Sequence, residues 1–125
     1  MIDNHLESAE FVDISIAHLD ALSKAEIDEL PFGVVGLSTD GLVEVYNATE
    51  AKLAGLSADS VLGSHFFLST AQCMNNFMVA QRFEDELELD TVIDYVLTFR
   101  MRPTPVRLHL LKGAAASRRY VLIQY

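Results

Sequence analysis

Tyr46 and Glu50 stand four residues apart in the run Tyr46-Asn47-Ala48-Thr49-Glu50. If Tyr46 ends a strand and Glu50 sits on the first turn of the next helix, a phenol and a carboxyl converge. Burial raises the pKa of a carboxyl, and a protonated Glu50 would donate a hydrogen bond beside that of Tyr46. Such a pair suits one buried ligand oxygen. The spacing has a structural reading too: Asn47 caps a helix and Glu50 reaches back to the Asn47 amide. Cys73 is the only cysteine, so no disulfide forms within the chain. It reads either as a small buried hydrophobe or as a covalent attachment point. His65 is near it in sequence, but nothing orients an imidazole toward the thiol. His5, His18, His65 and His109 have no metal-ligand spacing with Cys73, and each reads as surface or satisfied core. Tyr95, Phe99 and Met101 share one face of a strand, as core or as the wall of a site. With no base and no oxyanion-forming loop in the pattern, an enzyme is not expected.

These side chains need a scaffold, and the hydrophobic periods supply one. Residues 9–22 carry Phe11, Ile14, Leu19 and Leu22 on one helical face, and Ser23 with Glu26 forms a capping box for a second short helix. Pro31 and Gly33 mark a change of period. Residues 34–37 read as a strand, Asp40-Gly41 as a hairpin turn and residues 42–46 as the returning strand. In that strand Leu42, Glu44 and Tyr46 are expected on one face, Val43 and Val45 on the other. A helix over residues 47–53 and short helical pieces between 57 and 67 follow, broken at Gly55 and Gly63. Cys73 lies in a connector before a helix over residues 75–87 bearing Phe77, Ala80, Phe83 and Leu87. Strands are predicted over 91–101, 106–112 and 120–125. Two strands, a group of helices and three strands give an α+β fold: an antiparallel sheet with helices on one face. Residues 1–29 form an N-terminal helical cap and residues 30–125 the core.

The bulk chemistry narrows the partners. A 125-residue chain, half of it hydrophobic, suits one domain with a proper core and needs no metal or disulfide staple. The formal charge of −9 repels phosphate backbones and anionic membrane surfaces, so neither nucleic acid nor membrane is an expected partner. No apolar run approaches the length that spans a bilayer. The N-terminal residues lack a basic region followed by an apolar run, and the expected location is the cytoplasm. Asn47-Ala48-Thr49 matches a glycosylation sequon, read here as a chance match.

Several segments together resemble the photoactive yellow protein family, whose fold is of the PAS type. They are LPFGVVGLSTDGLVEVYNATE, then VLGSHFF, the lone cysteine a few residues later, and YVLTFRMRPTPVRLHLLK. The resemblance covers most of the chain from Leu30 onward. It implies a blue-light photoreceptor with p-coumaric acid bound as a thioester to Cys73. It implies that Tyr46 and Glu50 hydrogen-bond the buried phenolate oxygen. Ala54, Leu56, Phe66, Phe99 and Met101 would surround the chromophore. The resemblance implies trans-cis isomerisation and then transfer of the Glu50 proton to the phenolate, which would leave a buried carboxylate without a good partner and drive partial unfolding of the N-terminal helices into a signalling state. The sequence departs from the family where a threonine is Ala54, an arginine is Leu56, a proline is Gln72 and a tyrosine is Phe99. The lining is therefore more apolar. The signal is expected to pass by contact with a downstream protein, from a monomer or weak dimer. The alternative is a chromophore-free PAS module for small-molecule sensing or protein interaction. The residues around Cys73 do not fit the flavin-binding motif of this fold, and the helix before the long strand has no histidine to ligate haem.

Overall fold

A computed structural model describes residues 11–98 and 102–125. Two short helices, α1 (Ile16–Ala21) and α2 (Lys24–Asp28), precede strands β1 (Gly33–Leu37) and β2 (Val43–Tyr46). Helices α3 (Ala48–Ala54) and α4 (Ala58–Val61), a π-helical turn over Phe66–Thr70 and a 3-10 turn over Gln72–Met74 come next. Helix α5 (Ala80–Asp85) leads into β3 (Leu89–Leu97), β4 (Thr104–Lys112) and β5 (Arg119–Gln124). The five strands form one antiparallel sheet in the order β2-β1-β5-β4-β3. The expected order of two strands, helices, then three strands is the order observed.

The sheet separates two cores. On one face Val121 and Ile123 of β5 join Leu108 and Leu110 of β4, packing with Phe66, Phe67 and Phe83 from the helical connection. On the other face Tyr120 and Leu122 meet Phe11, Ile14, Leu19 and Ile27 of the N-terminal segment. Strand alternation thus sends successive residues of β5 to different cores. Polar ties fasten the N-terminal segment: the Tyr120 hydroxyl donates to Asp20 Oδ1 (2.7 Å), and His109 Nδ1 donates to the Phe11 carbonyl (2.6 Å). His109 is fully buried, with Nε2 2.6 Å from the Asp90 carboxylate, so it is a satisfied core histidine.

Four local expectations are corrected. The single helix over residues 9–22 is broken at Ser15, whose extended backbone and hydroxyl cap α1 by accepting from the His18 amide. The second helix has the expected capping box between Ser23 and Glu26. In β2, register slips between Gly36 and Leu37, so Leu37 pairs with Val43 while Gly36 pairs with Val45. This bulge makes Glu44 the extra residue and brings both Val43 and Tyr46 into the same core, against simple alternation. Helix α5 begins only at Ala80, because Val79 just before it has a non-helical backbone (φ −126°, ψ −73°); Asn76 Oδ1 accepts from the amides of Met78 and Val79 in the turn that precedes it. Phe77 and Leu87, expected on its apolar face, are each 80 % exposed. The long strand runs over Leu89–Leu97, shifted toward the N-terminus of the predicted 91–101.

Candidate functional site

A cavity of about 460 Å³ opens between one sheet face and α3, α4 and the two tight turns. Tyr46, Leu97 and Ile123 supply the sheet side, and Phe66, Cys73 and Met74 part of the opposite side. The π turn that brings Phe66 and Thr70 to the wall is capped by His65, whose Nδ1 accepts from the Leu68 amide (3.3 Å). That is the role of His65: its Nδ1 is already engaged and it does not line the cavity beside Cys73.

Glu50 projects from the first turn of α3 and is 4 % exposed. The capping expectation is half right. Asn47 Oδ1 accepts from the Glu50 amide (3.0 Å), but the Asn47 amide donates to the Val34 carbonyl, so the Glu50 carboxyl does not reach back. Instead Oε2 accepts a hydrogen bond from the Tyr125 hydroxyl (3.0 Å), and Oε1 has no partner among the described residues. Burial pushes the Glu50 pKa from 4.5 up to about 7, opposed by the Tyr125 bond. Burial, and then the neighbouring Glu50, also push the Tyr46 and Tyr125 phenols far above their ordinary value. Below neutral pH the site therefore holds a largely protonated carboxyl beside two protonated phenols, of which Tyr125 already donates to Glu50 Oε2.

The close approach of Glu50 depends on Gly33. A Cβ at that position would fall 2.1 Å from Glu50 Oε1. Gly33→Ala is expected to destabilise the fold by roughly 2 kcal/mol through this overpacking. It should also push the carboxyl out of its niche, returning its titration midpoint toward that of an ordinary glutamate. Urea unfolding and carboxyl-carbon NMR titration read both; an unchanged midpoint would contradict the packing argument.

Asn47 is buried with all four of its side-chain bonds inside the protein. Oδ1 accepts from Val34 and Glu50, and Nδ2 donates to the carbonyls of Ile27 (2.9 Å) and Phe32 (3.1 Å). The sequon is thus closed to modification in the folded state. The same residue joins the helix that carries Glu50 to α2.

Cys73 sits half-buried in the 3-10 turn and lines the cavity. Its carbonyl accepts from the Tyr95 hydroxyl (2.5 Å) and from Asn76 Nδ2 (3.1 Å), and Nδ2 also donates to Tyr95 Oη (2.7 Å). The backbone that carries the thiol is therefore pinned to β3. Tyr95, expected on the sheet as core or site wall, serves as this anchor.

The structure brings Tyr46, Glu50, Ala54, Leu56, Phe66 and Cys73 to one cavity. Leu56 is at the rim, 41 % exposed, while Ala54 is buried. Phe99 and Met101 lie outside the described residues. Sequence reasoning missed Tyr125 and the hydroxyls of Ser60, Ser64, Ser69 and Thr70, which also line or meet this site. Parity with Ile123 along β5 is the signal that could have found Tyr125. No helix among the described residues is long and apolar enough to cross a membrane, and they contain no metal-binding group of His, Cys, Asp or Glu.

No protein-family model matches the chain. Over 115 residues it is 30 % identical to photoactive yellow protein of Rhodothalassium salexigens, spanning 90 % of this chain and 91 % of that one. Among solved structures it superposes on the photoactive yellow protein domain of the sensor histidine kinase Ppr from Rhodospirillum centenum. That match has a TM-score of 0.80 at 29 % identity and covers 87 % of this chain and 98 % of the other. The PAS domain of an HTR-like protein from Haloarcula marismortui shares the fold at a TM-score of 0.64 and 16 % identity, over 81 % of this chain and 91 % of that one. The sheet order, the helical connection and these likenesses agree on a PAS fold, and the chain belongs to the photoactive yellow protein family.

Proposed function

We propose that this protein is a blue-light photoreceptor that carries p-coumaric acid as a thioester on Cys73. The observation that supports this most is Glu50: a buried carboxyl, raised toward neutrality, with one oxygen unpartnered among the described residues, in the cavity that Cys73 lines. The residues present fit such a group. The volume lies in the range of small-ligand sites, and the walls are mainly apolar, with the hydroxyls of Ser60, Ser64, Ser69 and Thr70 beside Tyr46 and Glu50. When bound, the chromophore supplies visible absorption and light-driven isomerisation of its double bond.

Each residue then has a task. Cys73 provides the thiolate sulfur for the thioester, on a turn held by Tyr95. Tyr46 and Glu50 donate to the phenolate oxygen. Ala54, Leu56 and Phe66 wall the ring, and Phe99 and Met101 take the places the family resemblance gives them. After light, Glu50 would pass its carboxyl proton to the phenolate oxygen that it and Tyr46 hydrogen-bond. An ionised carboxylate in this niche costs several kcal/mol. Asn47 ties the Glu50 amide to α2 through the Ile27 carbonyl, so a displacement of α3 loosens the N-terminal helices. The protein works in the cytoplasm and signals by contact of this altered surface with another protein, rather than by catalysis.

Attachment is tested by incubating purified protein with activated p-coumarate and measuring intact mass. One coumaroyl adduct is expected, lost completely in Cys73→Ala. An adduct of equal yield in Cys73→Ala would overturn the assignment. No adduct in either protein would favour the chromophore-free sensing module.

A further inference from the structure

The polar part of the cavity holds a group that the Tyr46–Glu50 pair does not account for. Tyr125 lies just beyond β5, in phase with cavity-lining Ile123, and its hydroxyl is 3.0 Å from Glu50 Oε2. It is the single hydrogen-bond donor to that carboxyl among the described residues. Among the described residues, the other titratable groups that act on it are Tyr46 on β2 and Cys73 on the 3-10 turn. No lysine, arginine or histidine is among the described residues that line the cavity.

We propose that Tyr125 is a positioning residue for Glu50, donating to its carboxylate and so setting how long the carboxyl stays ionised once its proton has gone. A carboxylate accepting a phenolic hydrogen bond is not partnerless, which modifies the expectation drawn from the family resemblance. The donation offsets part of the burial cost, and its direction is visible in the resting protein, where the same bond pulls the Glu50 pKa down against burial. Hydrogen bonds to charged groups are the stronger kind. Tyr125 is partly exposed, so its effect belongs at the lower end of that range. The role in the light-driven state rests on the photoreceptor reading above; the hydrogen bond does not.

The test separates the two. Chromophore-free protein labelled with carbon-13 at glutamate carboxyls is titrated by NMR, with Glu50→Gln to assign the signal. Tyr125→Phe keeps the ring and removes the donor. It should strengthen proton binding by Glu50 about tenfold, raising the midpoint by about one unit. A fluorinated tyrosine at position 125, a more acidic donor, should move the midpoint the opposite way, which a role in packing alone would not do. In chromophore-loaded Tyr125→Phe, the state formed under blue light should decay about tenfold faster. An unmoved midpoint overturns the proposal, whether or not the protein takes up chromophore. A moved midpoint with unaltered decay overturns the kinetic part. A moved midpoint in protein that never forms an adduct supports the hydrogen bond and overturns the photoreceptor reading instead.

Discussion

Asn47→Ala is expected to lower the unfolding free energy by about 3 kcal/mol, the largest loss for a single polar substitution at the site. Alanine leaves the amides of Val34 and Glu50 and the Phe32 carbonyl without the Asn47 partner they have now, while the Ile27 carbonyl loses Asn47 but keeps the Leu30 amide. Each orphaned buried group costs about 1–3 kcal/mol, reduced where water or a shift of the chain repairs it. The α3 cap alone accounts for about 1 kcal/mol of this. Asn47→Asp separates the contributions, because it keeps the acceptor and loses both donors. Urea unfolding gives the total. Hydrogen exchange gives the location: amides of α1 and α2 should lose protection before those of β4 and β5. A loss below 1 kcal/mol, or uniform loss of protection, would mean that Asn47 does not couple α3 to the N-terminal helices.

The second large effect is on pH dependence, and it comes from Glu50. Its pKa is near 4.5 in an unfolded chain and about 7 in the folded protein. Below 4.5 both states are protonated and the fold bears no charge penalty there. Between the two values the unfolded chain has lost the proton that the folded protein retains, so stability falls as pH rises. Above about 7 both are ionised and the full penalty is present. The difference between the plateaus is about 3 kcal/mol. Chromophore-free protein should therefore lose about that much relative to Glu50→Gln between pH 4.5 and 8, measured by urea unfolding of both. Taking the difference cancels other groups, including Asp28, whose pKa is lowered by Lys24 and whose contribution has the opposite sign. Parallel curves for the two proteins would contradict the burial argument.

What the sequence made legible depends on the range of the interaction. Local chemistry was readable. The Asp40-Gly41 turn has Gly41 at φ +85°, the left-handed backbone that glycine adopts without cost. Ser23 with Glu26 forms its capping box, and Tyr46 and Glu50, four residues apart, line one cavity; Cys73 lines it too, a placement that only the family resemblance implied. Three kinds of information were not local. The bulge at Gly36/Leu37 comes from pairing with a partner strand, and it reverses the parity that periodicity assigns to Val43 and Tyr46. Asn47 satisfies carbonyls 15 and 20 residues upstream, and no pattern within its own helix records them. Tyr125 meets Glu50 across 75 residues of sequence, because β1 lies beside both β5 and α3. Phe77 fails in another way: apolar character extends a helix through it, while the backbone leaves the helical region at Val79, so the helix starts only at Ala80.

The most direct test of the central claim is a visible spectrum of protein loaded with activated p-coumarate, recorded in darkness, under blue light and during return to darkness. A visible band dependent on Cys73 should bleach under blue light and recover in the dark. Loaded protein whose band does not change under blue light would contradict that claim.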